Sequence, residues 1–297
     1  MSNIEYLYRY TSLESLALIL KSRQIRLNPL DKMDDLQEQK TADVENLGKF
    51  VFISSWTEES DESIPMWRMY TDPRAGVRIK MRKNPFVWHG TKGSDIVEKI
   101  GLNAVDMKSL NGKLPTFLDM SELMDKGYYS VQAFGGKILE QVTYTNEIEK
   151  LEPVISHIEG NKMTLELNKL GRHKNTYWSF QKEWRYIMTF IPFDFKSDVG
   201  TMELKFNLTA NKLLHGIEIP PFRFYNLDIA PEAFEEMEIT CSPQMSAGNR
   251  ILLDTLVEKR VYSNGQVADR LSGRHEQAGG RVKQFRLAHK GKNENGY

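Results

Sequence analysis

The sequence has little of what several functional classes require. It contains a single cysteine, Cys241, which excludes a disulfide within the chain and a cysteine-rich metal site. No apolar run approaches the roughly 20 residues that cross a membrane, and the first residues lack the basic start and apolar core of a signal peptide. The six histidines are scattered without the spacing of metal ligands. We therefore expect a cytoplasmic protein that binds neither a metal nor a membrane, with Cys241 as a buried thiol in a strand.

The motifs of common enzyme classes are missing as well. The chain has no phosphate-binding P-loop, no dinucleotide-binding GxGxxG, no GxSxG nucleophile elbow and no HExxH zinc motif. Its 40 basic and 40 acidic residues cancel, so the total charge gives no sign of a polyanionic partner. The reactions that depend on these motifs become poor hypotheses for this chain.

The pattern of apolar residues predicts an α+β fold. Tyrosines alternate with Leu7 and Arg9 in a first strand, and Thr11 and Glu14 form a capping box for the helix that follows. Further elements are expected as strands at 50–56 and 76–81, a helix at 154–170, and a hairpin of 178–193 with 201–208. Because the order of elements mixes hairpins with a few helices, we expect mostly antiparallel central sheets with peripheral helices.

Charge is unevenly distributed along the chain. Residues 31–62 contain ten acidic residues and three lysines, whereas residues 270–297 contain seven lysines or arginines and two glutamates. The acidic segment could dock a basic partner protein. We expect a single domain over residues 1–265 with an insertion near 84–136, followed by a basic, mobile tail over 266–297 that could help to engage nucleic acid.

The segment 177–188 concentrates polar and aromatic side chains. Gln181 and Glu183 are two residues apart, so an extended chain aims both at one side. Such a pair suits holding a ribose hydroxyl and stabilising a positive charge that develops beside it. Glu183 could instead pair with Arg185 or with a cross-strand lysine on a solvated sheet face. The sequence alone leaves both interpretations open.

Two more polar clusters lie at predicted strand ends. Arg9 is on an otherwise apolar strand face, where its planar guanidinium could meet a carboxylate or a pyrophosphate. Ser54 and Ser55 end a hydrophobic strand, and their hydroxyls could either join neighbouring strands or flank a bound nucleotide. Four aromatic side chains could stack on a nicotinamide or a base, or pack in the core: Trp67, Tyr70, Trp178 and Trp184.

Several of these segments together resemble a bacterial family. They are Tyr8-Arg9-Tyr10, Met33-Asp34-Asp35, the strand at 52–56, Met66-Trp67-Arg68-Met69-Tyr70 and Glu183-Trp184-Arg185-Tyr186. In their order and spacing, which cover most of residues 6–220, they resemble the bacterial domain of unknown function 2971 family. The resemblance fixes no activity, because that of the family is undefined.

The three polar clusters are also similar to the Arg, Ser-Thr-Ser and Gln/Glu-x-Glu motifs of the ADP-ribosyltransferase fold. This weaker resemblance implies that fold, with NAD as substrate and no metal. It implies that Arg9 holds the NAD phosphate, that Ser54 or Ser55 shapes the nicotinamide pocket, and that Glu183 binds the ribose and supports an oxocarbenium-like transition state. The predicted catalytic residues are Glu183 and Gln181, and the predicted cofactor-binding residues are Arg9, Tyr10, Ser54, Ser55, Trp67, Tyr70 and Arg185.

Three hypotheses about function follow. The first is an ADP-ribosyltransferase-like enzyme that cleaves NAD and modifies a macromolecule, such as a nucleic acid, in bacterial toxin action or antiphage defence. The second is a binding module for nucleotides or nucleic acid that keeps an aromatic cleft without turnover. The third is an interaction protein of a defence operon, whose acidic segment docks an operon partner protein.

Overall fold

The fold is that of a computed structural model, which describes residues 4–92, 113–130, 132, 137–160, 162–195, 200–216, 219–263 and 284–286. The chain divides into two compact units. The first unit comprises residues 1–24, 56–85 and 229–297, and the second comprises 25–55 and 86–228. Most of the predicted basic tail and much of the predicted insertion lie outside the described residues, so the domain limits stay predictions. No helix in the described ranges is long and apolar enough to cross a membrane.

The described residues form sixteen strands, numbered in chain order. They are β1 (Tyr6–Ser12), β2 (Gln24–Pro29), β3 (Val51–Thr57), β4 (Gly76–Arg82), β5 (His89–Lys92), β6 (Lys113–Thr116), β7 (Tyr128–Ser130), β8 (Leu139–Gln141), β9 (Thr143–Thr145), β10 (Ser156–Glu159), β11 (Lys162–Leu165), β12 (His173–Asn175), β13 (Glu183–Pro192), β14 (Tyr225–Asp228), β15 (Glu238–Cys241) and β16 (Gln284–Arg286).

Seven α-helices lie in the same residues. They are α1 (Leu13–Ser22), α2 (Ile64–Tyr70), α3 (Met120–Asp125), α4 (Ile148–Leu151), α5 (Met202–Leu214), α6 (Pro231–Glu235) and α7 (Ala247–Ser263). Short 3₁₀ helices include Leu36–Gln39 and Thr176–Gln181, which both bear on the candidate site.

The first unit is built on the antiparallel pair of β1 and β4. The pairing runs from Tyr6 opposite Arg82 to Ser12 opposite Gly76, and β15 adds to the other edge of β4. Cys241, the last residue of β15, is 2% exposed, so the predicted buried strand thiol is confirmed.

The first helix begins at Leu13, but its N-cap lies one residue after Thr11, the first residue of the predicted capping box. Ser12 is the N-cap, and its hydroxyl accepts a hydrogen bond of 3.0 Å from the Ser15 backbone N–H. Thr11 is instead a buried residue of β1. The helix itself is confirmed, because its apolar stripe, with Leu16 fully buried, covers the core as a 3.6-residue repeat requires.

The second unit is centred on β13, the longest strand. β13 pairs with β3, and with β7 and β8 in antiparallel register, while β2 lies between β3 and β14. Phe190 of β13 is fully buried, and its ring centroid lies 5.1 Å from that of Phe52 and 4.6 Å from that of Tyr225. This aromatic core fixes the strand that carries Glu183. The predicted α+β class and mostly antiparallel pairing are confirmed, and the pair of β9 and β12 is parallel.

The predicted strand at 201–208 is wrong, because these residues begin helix α5. The Thr201 hydroxyl accepts a hydrogen bond from the Leu204 backbone N–H and so caps the helix. The apolar residues recur at every second position, but Leu204 and Leu208 are exposed rather than inward-facing. Met, Glu, Leu and Lys are all good helix formers, and here their propensity outweighs the alternation.

The predicted helix at 154–170 is also wrong. Residues Ser156–Glu159 and Lys162–Leu165 form an antiparallel hairpin, with Glu159 opposite Lys162. The two residues between that pair are Gly160 and Asn161 in the sequence, and Gly160 has a φ of +58°. Glycine adopts this backbone conformation without strain, and two-residue hairpin turns require it.

Candidate functional site

The candidate site lies at the start of β13, where a tight turn positions two predicted catalytic residues. Gln181 ends the 3₁₀ helix Thr176–Gln181, and Lys182 follows with a left-handed backbone, φ +42°. Glu183 then opens the strand. The chain is thus not extended through Gln181, as the two-residue spacing had suggested. One left-handed residue separates Gln181 from Glu183, and both side chains accept from the same lysine.

Lys174 is the group on which Gln181 and Glu183 converge. It lies on β12, and its ammonium donates to Gln181 Oε1 at 2.9 Å and to Glu183 Oε2 at 3.0 Å. All three side chains are buried. The Lys174 ammonium also lies 3.0 Å from Glu38 Oε1, outside hydrogen-bond geometry, so that contact is electrostatic.

Arg185 completes the cluster from the same face of β13 as Glu183. Its Nε donates to Glu183 Oε1 at 2.6 Å and its Nη2 to Glu183 Oε2 at 3.1 Å, which is the bidentate arrangement that a guanidinium favours. Its Nη1 donates to the Gly171 carbonyl at 2.9 Å and to Glu38 Oε2. We call Glu38, Lys174, Glu183 and Arg185 the charge quartet.

The charge quartet is electrically balanced, with two carboxylates and two cations. Burial alone would raise the pKa of Glu183, but the charges of Arg185 and Lys174, with hydrogen bonds from Arg185 and Ser55, hold that pKa well below its usual value. Burial would lower the pKa of Arg185, while Glu183 and Glu38 raise it. Glu183 therefore remains ionised at neutral pH.

Polar and aromatic neighbours complete the surroundings of the quartet. The Tyr144 hydroxyl accepts a hydrogen bond of 2.8 Å from the Glu183 backbone N–H, and burial is the main reason why the pKa of Tyr144 is raised. The Lys174 ammonium lies 4.9 Å from the centroid of the Trp178 ring, a cation–π distance. The site thus combines the ionised carboxylate of Glu183, a serine hydroxyl and an aromatic face.

The structure brings together four of the predicted site residues: Gln181, Glu183, Arg185 and Ser55. Ser54, the neighbour of Ser55 on β3, is 2% exposed. The pairing of Glu183 with Arg185 and a lysine, which the sequence had left open, is what the structure shows. It occurs in the interior, however, and not on a solvated sheet face.

The other predicted site residues belong to the first unit. Tyr10 packs edge to face on Trp67 of α2, with ring centroids 4.8 Å apart, and its hydroxyl accepts a hydrogen bond from the Ser63 backbone N–H. Arg9 points to the opposite face of β1, where its guanidinium lies 5.9 Å from the centroid of Trp56. Tyr70 is half-buried at the end of α2.

Sequence reasoning missed two members of the quartet, Glu38 and Lys174. Glu38 belongs to the acidic segment, which in one of the three hypotheses docks a basic partner, yet it is only 5% exposed. A second acidic residue of that segment, Asp43, accepts hydrogen bonds from the backbone N–H groups of Ile155 and Ser156. The local sequence carries little sign of what Glu38 and Asp43 bind, because their partners are more than a hundred positions away.

Comparisons with protein-family models, with curated proteins and with solved structures found no match to this chain. The resemblances drawn from the sequence motifs therefore stay predictions, and the function is argued from the site itself.

Proposed function

We propose that this protein is an ADP-ribosyltransferase-like enzyme that cleaves NAD and transfers ADP-ribose to a macromolecule. The observation that carries the proposal is the ionised carboxylate of Glu183, which Ser55 and Arg185 contact directly. Gln181 lies beside it, because the Lys174 ammonium donates to both side chains. A carboxylate held in its charged form beside a serine and a glutamine matches the motif that led to the proposal. The finer fold assignment, ADP-ribosyltransferase-like, is part of the same proposal.

The reaction would need charge placement more than covalent chemistry. The glycosidic bond between ribose and nicotinamide breaks, and nicotinamide leaves with the bonding electron pair, which neutralises its pyridinium charge. Glu183 would stabilise the oxocarbenium-like ribose electrostatically. A nucleophile of the acceptor then bonds to the ribose carbon and releases its proton to solvent.

Access to Glu183 is the main structural requirement of this proposal. The residue is 4% exposed, and each of its carboxylate oxygens has a cationic partner. In the proposed complex a ribose hydroxyl takes the place of the Lys174 ammonium at Oε2, while Arg185 keeps its hydrogen bonds to both carboxylate oxygens. The role of Lys174 would then be to keep Gln181 and Glu183 in position before the ligand binds.

The charge of Glu183 is fully balanced by Lys174 and Arg185. This balance favours a second candidate, a binding module for nucleotides or nucleic acid. In that case the quartet braces β13, and ligand contacts come from exposed aromatic residues near it. Tyr177 is 82% exposed and Phe180 is 38% exposed, in the same 3₁₀ helix as Trp178. Stacking on such side chains tolerates any base.

We infer that the acceptor of the enzyme is a macromolecule, such as a nucleic acid, and that the protein acts in toxin action or antiphage defence. Neither case requires a metal. Binding to a nucleic acid through the basic tail should weaken as salt rises, because counterions are released from the phosphates.

Nicotinamide release from NAD tests the enzyme proposal. The wild type, Ser55→Ala and Glu183→Gln should be compared with bacterial nucleic acid or lysate as acceptor, after circular dichroism has verified the folding of each variant. Glu147→Gln is the matched control, because Glu147 is an exposed carboxylate paired with Lys150. Release that is lost in Glu183→Gln, reduced in Ser55→Ala and unchanged in Glu147→Gln supports the enzyme.

The opposite results separate the two candidates. No release with any acceptor removes the enzyme proposal. Nucleic-acid binding that survives Glu183→Gln but falls in Tyr177→Ala then supports the binding module.

A further inference from the structure

Three cross-strand rows of side chains lie on one face of the first unit. Residues directly opposite in paired strands point to the same face, so each row combines β1, β4 and the chain at β15. The rows are Tyr6, Arg82 and Glu236; Tyr8, Lys80 and Glu238; and Tyr10, Arg78 and Thr240. Every row therefore contains one tyrosine and one cation from β4.

The cations of two rows are neutralised by glutamates. The Lys80 ammonium lies 3.2 Å from Glu238 Oε1. Arg82 donates from Nε to Glu236 Oε2 at 3.1 Å. In these rows the charge of β4 is balanced by a carboxylate on or just before β15.

The third row breaks this pattern. Arg78 faces Thr240, so no carboxylate stands where the other rows supply one. Arg78 is 7% exposed, its Nη1 donates to the Ser60 carbonyl at 2.9 Å, and its Nε is buried without an acceptor. Its guanidinium carbon also lies 4.8 Å from the centroid of the Tyr8 ring and 5.9 Å from that of Tyr10. Across the described ranges Arg78 forms no ion pair with a carboxylate.

A buried guanidinium with this environment is costly to maintain. Burial takes the guanidinium out of water, and the charge then needs partners in the protein or in a ligand. Tyrosine faces attract the cation but do not accept the in-plane N–H of Nε. A buried N–H donor without an acceptor loses its hydration and gains nothing in return. An anion that enters the row would remove both costs.

We propose that Arg78 is the centre of an oxyanion-binding site in the first unit, which takes the phosphate or pyrophosphate group of a ligand. The Nε edge of the guanidinium and the Thr240 hydroxyl face the same row and supply donors from two strands. A tetrahedral phosphate can accept from the guanidinium fork with two oxygens and from a hydroxyl with a third. Tyr8, the half-buried ring beside Arg78, is the side from which the ligand enters.

The proposed site goes beyond NAD cleavage and does not depend on it. Arg9, the arginine that the motif resemblance assigns to a phosphate, lies on the other face of β1, opposite Ile79 in the register. Sequence reasoning passed over Arg78 because a basic residue on a strand is ordinarily solvated. The feature that identifies Arg78 is the residue opposite it, which is Thr240 rather than a glutamate. That feature is visible only once the register of β4 and β15 is known.

Binding of inorganic pyrophosphate, measured by titration calorimetry and by thermal unfolding at constant ionic strength, tests the site. We expect the wild type to bind pyrophosphate and to unfold at a higher temperature in its presence. Arg78→Gln and Arg78→Lys should each bind roughly 10- to 100-fold more weakly, since a charge-assisted pair is lost or its fork is removed. Thr240→Glu should abolish binding, because it supplies the carboxylate that the row lacks.

Arg82→Gln is the matched control, because it removes a cation of the same strand that already has a glutamate partner. Its affinity for pyrophosphate should stay within about twofold of the wild type. Parallel titrations with phosphate and with NAD distinguish a free phosphate ligand from a nucleotide, and either one supports the site. The proposal is overturned if millimolar pyrophosphate and phosphate fail to bind, or if Thr240→Glu and both Arg78 variants bind as the wild type does. Loss of nicotinamide release in Glu183→Gln with pyrophosphate affinity unchanged would separate this site from the enzyme proposal.

Discussion

The Lys174 ammonium lies 3.0 Å from Glu183 Oε2, although the two residues belong to strands that do not pair with each other. This contact, together with those of Arg185 and Glu38, makes a compact group of four charges in the interior of the second unit. Its consequences can be measured without knowledge of any ligand.

Lys174→Met should destabilise the fold by about 3–5 kcal/mol, because it leaves two buried carboxylates with one cation. Urea unfolding at neutral pH measures the change. Lys126→Met is the control, since Lys126 and Glu122 form an exposed pair on and after α3, and its loss should stay under about 1 kcal/mol. Equal losses in the two variants would contradict a special role for the quartet.

The double variant Lys174→Met with Glu38→Gln tests whether the charges act as a unit. Removing one carboxylate along with the cation restores neutrality, so the double variant should be more stable than the sum of the single changes predicts, by at least ~1 kcal/mol. Additive losses within about 0.5 kcal/mol would show that Lys174 and Glu38 contribute independently.

Stability should fall as the pH drops below about 4.5, the ordinary pKa of a glutamate side chain. The folded state lowers the pKa of Glu183, so the unfolded chain binds a proton there first, and stability is lost as the pH falls toward the folded pKa. Burial would raise the pKa of Asp43, but hydrogen bonds from Ser156 and Ile155 lower it overall, so Asp43 acts in the same direction. Glu183→Gln should be less stable at neutral pH but should lose less on acidification, which denaturant unfolding across this pH range can measure.

The turn at Lys182 makes a separate prediction. A left-handed backbone is costly for a β-branched residue, so Lys182→Val should destabilise by roughly 1–2 kcal/mol. Lys182→Gly should be close to neutral, because glycine adopts this conformation freely but has more entropy in the unfolded state. Thermal unfolding with Gln141→Val as control, an exposed position in β8, checks the result. A harmless Lys182→Val would mean that the turn does not need its left-handed residue.

Secondary structure was predictable from the sequence where apolar residues recur at a regular period and pack against a core. Strand β13 and helix α1 were expected because their apolar residues follow a regular period and both are packed against a core. The strand predicted at 201–208 was wrong because the prediction assumed that the alternating apolar residues are buried. In α5, Leu204 and Leu208 are exposed, so their spacing carries no information about a core.

The site was predictable only in part. Gln181, Glu183 and Arg185 are close in sequence, so their meeting could be expected. Glu38 is 147 positions from Arg185, and only the folded chain brings it there. Short motifs can therefore identify the members of a charge cluster that are close in sequence. The net charge of the cluster also depends on residues from distant segments, such as Glu38.

The buried thiol of Cys241 gives the first unit a reporter of its own. The residue directly follows Thr240 on β15 and lies opposite Val77, the neighbour of Arg78 on β4. Since the chain has no second cysteine, any reaction with a thiol reagent must come from this one position. The rate at which Cys241 is labelled would report how often these two strands separate. A ligand that binds both strands would lower this rate, and no engineered probe is needed to measure it.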